Sequence, residues 1–135
     1  MKQHITVEQL NELSGSAKEK LKMWWEPEAG DKVLDLSFKH TSFLENSHEG
    51  YWNDIADPDF SSDGLLPLLS LGQMIEFLNE KQEYQFHIFR RTFDWKVIVS
   101  DLHYGKEIGG ELCDHLWEAV KEVLGLGLKE AKDLV

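Results

Sequence analysis

The chain has 135 residues, of which 41% are hydrophobic, 11% are aromatic and 29% are charged. This length suits a single domain, and the many aromatic residues exclude an intrinsically disordered chain. The 25 acidic side chains outnumber the 14 basic ones, so the formal net charge is −11. Direct nucleic-acid binding and binding to anionic membranes are therefore disfavoured, because both depend on basic side chains that meet phosphate groups.

The compartment follows from cysteine usage and from the pattern of apolar residues. Cys113 is the only cysteine, so no disulfide can form within one chain and a reducing compartment is expected. Residues 1–10 lack the apolar stretch of a secretory signal. No run of residues approaches the roughly 18 apolar residues of a membrane span. We predict a cytoplasmic protein that does not associate with membranes.

The first quarter of the chain predicts short helices followed by a strand. Thr6 and Gln9 have the spacing of a capping box, which predicts a helix start. Ser14-Gly15-Ser16 interrupts the helical pattern, so a second short helix is expected from Ser16 to about Trp24. Residues 32–38 alternate between apolar and polar and predict a strand. The side chains of that strand expected to face the core are Leu34, Leu36 and Phe38, or alternatively Val33.

Residues 39–64 predict a long irregular loop, because glycine, asparagine, aspartate and serine are frequent there. Its aromatic and aliphatic side chains indicate that it packs on the domain, and a loop of this length is often functional. The apolar run 65–69 that follows contains Pro67. A proline cannot donate to a sheet ladder, so this run is expected to be an extended linker or an edge strand.

The second half of the chain predicts a helix, a hairpin and a final helix. Ser70 and Gln73 form a second capping-box pattern before an amphipathic helix that runs to about Lys81. Residues 84–91 and 95–101 are rich in aromatic and β-branched residues and predict an antiparallel hairpin. The last helix is expected to follow Gly109-Gly110 and to end at a Gly125 cap.

Together these elements predict one α+β domain over residues 1–135. We expect a small antiparallel sheet, made of a strand plus the hairpin, packed in two layers against about three helices. The 39–64 loop is the least regular part of this arrangement.

One pattern points to enzymatic chemistry. Pro58-Asp59 followed by Asp94-Trp95-Lys96 is similar to the PD…(D/E)xK arrangement of metal-dependent nucleases. In such sites two carboxylates hold Mg²⁺ and the lysine positions water. The spacing is longer than usual, and Asp94 opens its strand. The alternative interpretation is a turn aspartate, a hairpin aspartate and an exposed strand lysine.

Other catalytic or metal-binding patterns are weak. The six histidines, His4, His40, His48, His87, His103 and His115, show neither HxxxH nor HExxH spacing. Solvated or hydrogen-bonded histidines are the expected outcome. Cys113 lies beside the apolar stripe of the last helix, where a small core residue is expected. We therefore predict neither a bound metal nor a cofactor.

A binding role rests on a few aromatic and basic side chains. Trp24-Trp25 and Tyr51-Trp52 are adjacent pairs, so one member of each pair is expected to face away from the core. Trp25, Tyr51 and Trp52 are the candidates, and the alternative is that Trp25 and Trp52 cover the rim of the core. Arg90 and Arg91 form a compact basic pair that could meet an acidic partner or be solvated.

Four segments carry a family resemblance. These are ITVEQLNELS, the Trp-Trp-x-Pro of residues 24–27, LLPLLSLGQMIEFL and ELCDHLWEAVKEVL. They resemble small uncharacterised proteins of phages and prophages of Gram-positive bacteria of the Bacillus and Clostridium type. The resemblance covers about half of the chain. It implies an accessory phage protein in a bacterial cytoplasm, and it supplies no activity and no site residues.

Three hypotheses about function result. The first is an accessory protein that binds a host or phage protein, and the second is the nuclease-like enzyme. The third is an acidic mimic of nucleic acid, which requires two parallel rows of exposed carboxylates. A homodimer is a further expectation, because Leu112, Leu116 and Val120 of the last helix suit an interface as well as a core.

Overall fold

A computed structural model describes residues 2–50, 53–81, 86–90, 95–99, 102–104 and 111–133. The chain divides into two compact units. The first unit is Thr6–Leu69, and the second combines Met1–Ile5 with Ser70–Val135. The expectation of one domain over the whole chain stays a prediction.

The first unit contains two helices and a three-stranded antiparallel sheet. In chain order these elements are α1 Val7–Leu10, α2 Gly15–Trp24, β1 Lys32–Asp35, β2 His40–Phe43 and β3 Leu65–Pro67. The strand order is β2-β1-β3, with β1 in the centre. Pro67 therefore lies in an edge strand, as the sequence predicts.

Side-chain caps fix the starts of both helices. Thr6 Oγ1 accepts the Gln9 N–H at 3.1 Å, and Gln9 Oε1 accepts the Thr6 N–H at 3.0 Å. This reciprocal pair is the capping box predicted from the sequence. Ser14 Oγ accepts the Ala17 N–H at 3.2 Å, so α2 begins at Gly15.

The strand predicted over residues 32–38 is shorter in the structure, because β1 ends at Asp35. Asp35 Oδ1 accepts the N–H groups of Ser37 at 2.8 Å and Phe38 at 3.2 Å. These bonds replace a strand ladder with a turn. Leu36 and Phe38, predicted to face the core, are instead 47% and 74% exposed. Val33 and Leu34 are the buried side chains of β1.

The core of the first unit forms around Trp25. The indole is 5% exposed and packs with Val33, Leu44 and Leu65, each at most 4% exposed. Trp24, Ile55 and Phe60 pack against this cluster from its margin. The 39–64 segment thus contributes side chains to the core, and it also contains the strand β2, which the sequence pattern did not predict.

The second unit contains two long helices and a second three-stranded antiparallel sheet. Its elements are α3 Leu71–Lys81, β4 Phe86–Arg90, β5 Trp95–Val99, β6 Leu102–Tyr104 and α4 Leu112–Asp133. The strand order is β4-β5-β6, and α4 packs on α3, β5 and β6. The predicted hairpin corresponds to β4 and β5, whereas the strand β6 was not predicted.

The N-terminal residues are attached to the helices of this unit. Lys2 Nζ contacts Asp114 Oδ1 of α4 at 2.6 Å, and the Leu71 N–H at the start of α3 donates to Gln3 O at 3.0 Å. The second predicted capping box is also present, since Ser70 and Gln73 exchange bonds of 2.9 and 3.1 Å. Residues distant in sequence therefore hold the starts of α3 and α4.

Helix α4 continues past the cap that the sequence predicted. Gly125 lies inside Leu112–Asp133 and does not end the helix. A glycine inside a helix costs about 1 kcal/mol relative to alanine. Upstream of Gly125, α4 buries an apolar stripe. The buried members of that stripe are Leu112, Cys113, Leu116, Trp117, Ala119, Val120 and Leu124.

Replacing Gly125 with alanine is expected to raise the free energy of unfolding by about 0.5–1 kcal/mol. Apart from its two chain neighbours and the nearby backbone of its own helix, no atom of the described residues lies within 4 Å of the position that the new Cβ would take. Gly30→Ala is the matched control, because its surroundings are equally open but its φ of +94° disfavours a side chain. Urea unfolding should show opposite signs for the two variants. A loss of stability in Gly125→Ala would contradict the helical placement.

The described residues form an α+β fold of four helices and small antiparallel sheets, which confirms the predicted class. Among the described helices, none combines the length and apolar composition that crossing a membrane requires.

Candidate functional site

The first unit contains an open acidic cleft of about 540 Å³. It lies at the end of β1, the start of β3 and the loop that leads into β3. Four of its lining residues are the aspartates Asp35, Asp57, Asp59 and Asp63. The other residues that line it are Ser37, Gly50, Phe60, Ser61, Gly64 and Leu65.

Two of these aspartates hold the walls of the cleft. Asp35 is 7% exposed, and its carboxylate fixes the turn after β1 through the bonds to Ser37 and Phe38. Asp57 is partly buried, and its Oδ1 accepts the Asp59 N–H at 2.8 Å. Replacing either carboxylate would disturb the backbone as well as the charge.

Asp59 and Asp63 carry the charge that faces solvent. Both side chains are exposed, and their backbone N–H groups are held by Asp57 Oδ1 and by Ser61 Oγ at 3.2 Å. The backbone is thus fixed while both carboxylates remain accessible. This combination presents negative charge to a ligand from a defined position.

A buried carboxylate organises the loop beside the cleft. Asp54 is 0% exposed, and its Oδ2 accepts bonds from Ser47 Oγ at 3.2 Å, Glu49 N at 2.9 Å and Gly50 N at 3.4 Å. Its Oδ1 accepts the Ala56 N–H at 2.9 Å. Burial raises the pKa of Asp54, but the four hydrogen bonds outweigh burial and hold the pKa below its ordinary value. Asp54 therefore stays ionised as a structural anion.

Two large, exposed apolar side chains are the sequence neighbours of the cleft residue Ser37 in the β1–β2 turn. Leu36 and Phe38 flank the cleft residue Ser37 and are 47% and 74% exposed. The Phe38 ring lies 6.0 Å from the ring of His40, and Lys39 adopts a left-handed φ of 56°. We call Leu36, Phe38 and the four cleft aspartates the cleft surface. It combines exposed apolar area with negative charge.

Of the two predictions for Trp25, a binding residue or a side chain that covers the rim of the core, its burial agrees with the second. Trp25 is a core residue at 5% exposure, and its Nε1 donates to Asp31 Oδ2 at 3.0 Å. The same oxygen accepts the Glu28 N–H at 3.0 Å. The Trp25 side chain therefore packs inside the first unit, and its hydrogen bond to Asp31 helps to hold the segment that follows α2.

Of the other predicted binding residues, one is described by the structure and three are not. Arg90 is exposed at the end of β4, with its guanidinium 5.8 Å from the centre of the Trp95 ring. Tyr51, Trp52 and Arg91 lie outside the described residues. Leu112, Leu116 and Val120, predicted to suit a dimer interface, are already buried within one chain.

The three residues of the nuclease pattern do not all lie within one described unit. Asp59 lines the cleft of the first unit, Lys96 lies in β5 of the second unit, and Asp94 lies outside the described residues. Within the described part of the chain, no three histidine, cysteine, aspartate or glutamate side chains are grouped so that they could hold a metal ion.

Cys113 occupies the small core position that the sequence predicts. The side chain is 0% exposed, and burial raises the pKa of the thiol to about 11. Lys2 lowers the pKa, whereas Asp114 and Glu111 raise it. A thiol with so high a pKa is a poor nucleophile at neutral pH.

Sequence reasoning missed the cleft surface although it directed attention to the 39–64 segment. The available signal was the turn chemistry of aspartate, since both Asp35 and Asp57 accept an N–H two residues ahead.

Comparison with protein-family models, with curated proteins and with solved structures finds no match for the chain. The chemistry of the cleft surface is therefore the basis for inferring a function.

Proposed function

We propose that the protein acts by binding another protein, and that the cleft surface receives a basic segment of that partner which also carries an apolar side chain. The observation that supports this most directly is the open acidic cleft, together with the exposed Leu36 and Phe38 on either side of its lining residue Ser37 in the chain. A partner with lysine or arginine near an apolar residue would match both parts of this surface.

The charges of the cleft favour a cationic ligand. Asp59 and Asp63 are exposed on a backbone that hydrogen bonds already fix, so little order is lost when a lysine or arginine approaches. The net charge of −11 acts in the same direction over longer distances and accelerates the encounter with a basic protein.

The exposed apolar side chains supply the part of the affinity that charge alone does not. Phe38 is 74% exposed, and its backbone is held by Asp35 rather than free to rearrange. Exposed aromatic side chains on a fixed backbone are typical of binding hot spots. The resemblance of four segments to phage proteins leads us to propose a host or phage protein as the partner.

The test is quantitative capture of partners from a lysate of a Bacillus-type bacterium. We expect the Asp59→Asn, Asp63→Asn double variant to retain about a tenth or less of a basic partner that the unaltered protein retains. The control is Glu19→Gln with Glu26→Gln, which removes the same charge from exposed positions of the same unit outside the cleft. Mass spectrometry gives both the amount and the identity of the captured protein.

Phe38→Ala provides the second arm of this test. It should reduce capture of the same partner without changing the net charge. Equal capture by the cleft variants and the control would contradict the proposal, as would a captured partner with no basic segment.

A further inference from the structure

The second sheet has an outer face with chemistry opposite to that of the cleft. In the β4–β5 register, Phe89 lies opposite Lys96 and His87 lies opposite Ile98, so these four side chains share one face. Val97 points the other way and is fully buried beneath α4. We call His87, Phe89, Lys96 and Ile98 the outer sheet face.

The outer sheet face offers an aromatic platform that is partly exposed. Phe89 is 46% exposed, and its ring stacks on His87 at 5.9 Å between centroids with an angle of 19°. His87 is exposed, and Lys96 and Ile98 are half-buried beside this pair. An aromatic side chain held by a stacked neighbour is a pre-ordered anchor for an apolar group.

The charge of this face differs from that of the chain as a whole. The sequences of β4, β5 and β6 contain no aspartate or glutamate, although the chain has 25 acidic residues. Lys96 lies on the outer sheet face itself, beside His87. A carboxylate of a ligand would therefore approach Lys96 without repulsion from acidic side chains of these three strands. This favours an anionic ligand.

The strand order adds a backbone feature to this face. β4 is an edge strand, since among the described strands it pairs with β5 alone. An edge strand can pair with an extended segment of another chain, whose alternate side chains then lie over the same face of the sheet.

We propose that the outer sheet face and the edge of β4 bind an extended acidic segment of a protein, with an apolar side chain on Phe89 and a carboxylate at Lys96. A nucleic acid fits less well, because its phosphates repeat at every nucleotide and need several cations, whereas a peptide can place a single carboxylate at Lys96. This ligand is opposite in charge to the one proposed for the cleft surface, so the two proposals can fail separately.

The probe is a fluorescent peptide that alternates glutamate with valine and has one central phenylalanine, measured by anisotropy with the full chain. We expect saturable binding that weakens about tenfold or more in Lys96→Glu and in Phe89→Ala. Lys20→Glu is the matched control, because it makes the same charge change at a half-buried position of α2. Binding by this control should change less than about twofold.

One more variant and two more probes complete the binding experiment. Lys96→Gln removes the charge without reversing it and covers the case in which Lys96→Glu fails to fold. Any binding of a peptide with lysine in place of glutamate should be unchanged in Lys96→Gln and in Phe89→Ala, because the cleft surface is the site proposed for a basic segment. Equal binding by all variants, or no binding by the unaltered chain, would overturn the proposal. Binding of a single-stranded oligothymidine through Lys96 in place of the peptide would also overturn it.

Discussion

Replacing Asp54 with asparagine is expected to lower the melting temperature of the protein by several degrees, although the change keeps the size of the side chain. The carboxylate accepts four hydrogen bonds, three at Oδ2 and one at Oδ1, and it has no exposed surface. An asparagine oxygen can replace only one of the two carboxylate oxygens. The asparagine NH₂ would then face other donors, either the Ala56 N–H or the three donors that now bind Oδ2.

Thermal unfolding followed by circular dichroism measures this effect. Asp63→Asn is the matched control, because it makes the same change at an exposed position of the same unit. Its effect should stay within about 0.5 kcal/mol. If both variants melt at the same temperature, Asp54 does not organise the loop.

The same carboxylate gives the stability a defined dependence on pH. The pKa of Asp54 is lower in the folded protein than its ordinary value of 3.8. Its contribution to the free energy of unfolding is therefore complete well above pH 3.8 and is lost as the pH falls through the lower folded value. Acid titration should destabilise Asp54→Asn less than the unaltered protein. An equal acid response in both proteins would show that other groups dominate.

Replacing Trp25 with alanine is expected to reduce the free energy of unfolding by about 3–5 kcal/mol. The indole fills the centre of the cluster with Val33, Leu44 and Leu65, and its loss also removes the Nε1 bond to Asp31. Urea unfolding monitored by circular dichroism measures the change, because that signal does not depend on the number of tryptophans.

Two variants separate the components of this effect. Trp25→Phe keeps most of the apolar volume and loses the hydrogen bond, so a smaller loss of about 1–2 kcal/mol is expected. Met23→Ala, at a side chain that is 84% exposed two residues earlier, should change stability by less than about 0.5 kcal/mol. A Trp25→Ala variant as stable as Met23→Ala would contradict the core position of Trp25.

The elements with repeated apolar spacing and reciprocal caps could be predicted from the sequence. The capping boxes at Thr6 and Ser70, the helix that begins at Leu71 and the β4–β5 hairpin all depend on residues that are close in the chain. Local side-chain chemistry decides these features, so a single sequence contains the necessary information.

The predictions that were wrong concern segments where two local signals favour different structures. The alternation over residues 32–38 favours a strand, but the Asp35 carboxylate bonds to the following backbone and wins. Gly125 favours a helix end, but α4 continues to Asp133. The cleft could not be predicted because it joins Asp35 to residues 57–65, which spacing alone does not bring together.

The central position of Asp54 has a consequence for how this protein can change in evolution. Its carboxylate reaches donors at residues 47, 49, 50 and 56, so an added or deleted residue in that interval would displace at least one donor. The exposed positions 58, 59 and 61 are outside this interval and line or adjoin the cleft. Insertions at exposed loop positions are the ones that proteins tolerate. Length variation among homologues should therefore be concentrated after residue 56, where it would reshape the cleft while the buried carboxylate keeps the rest of the loop in place.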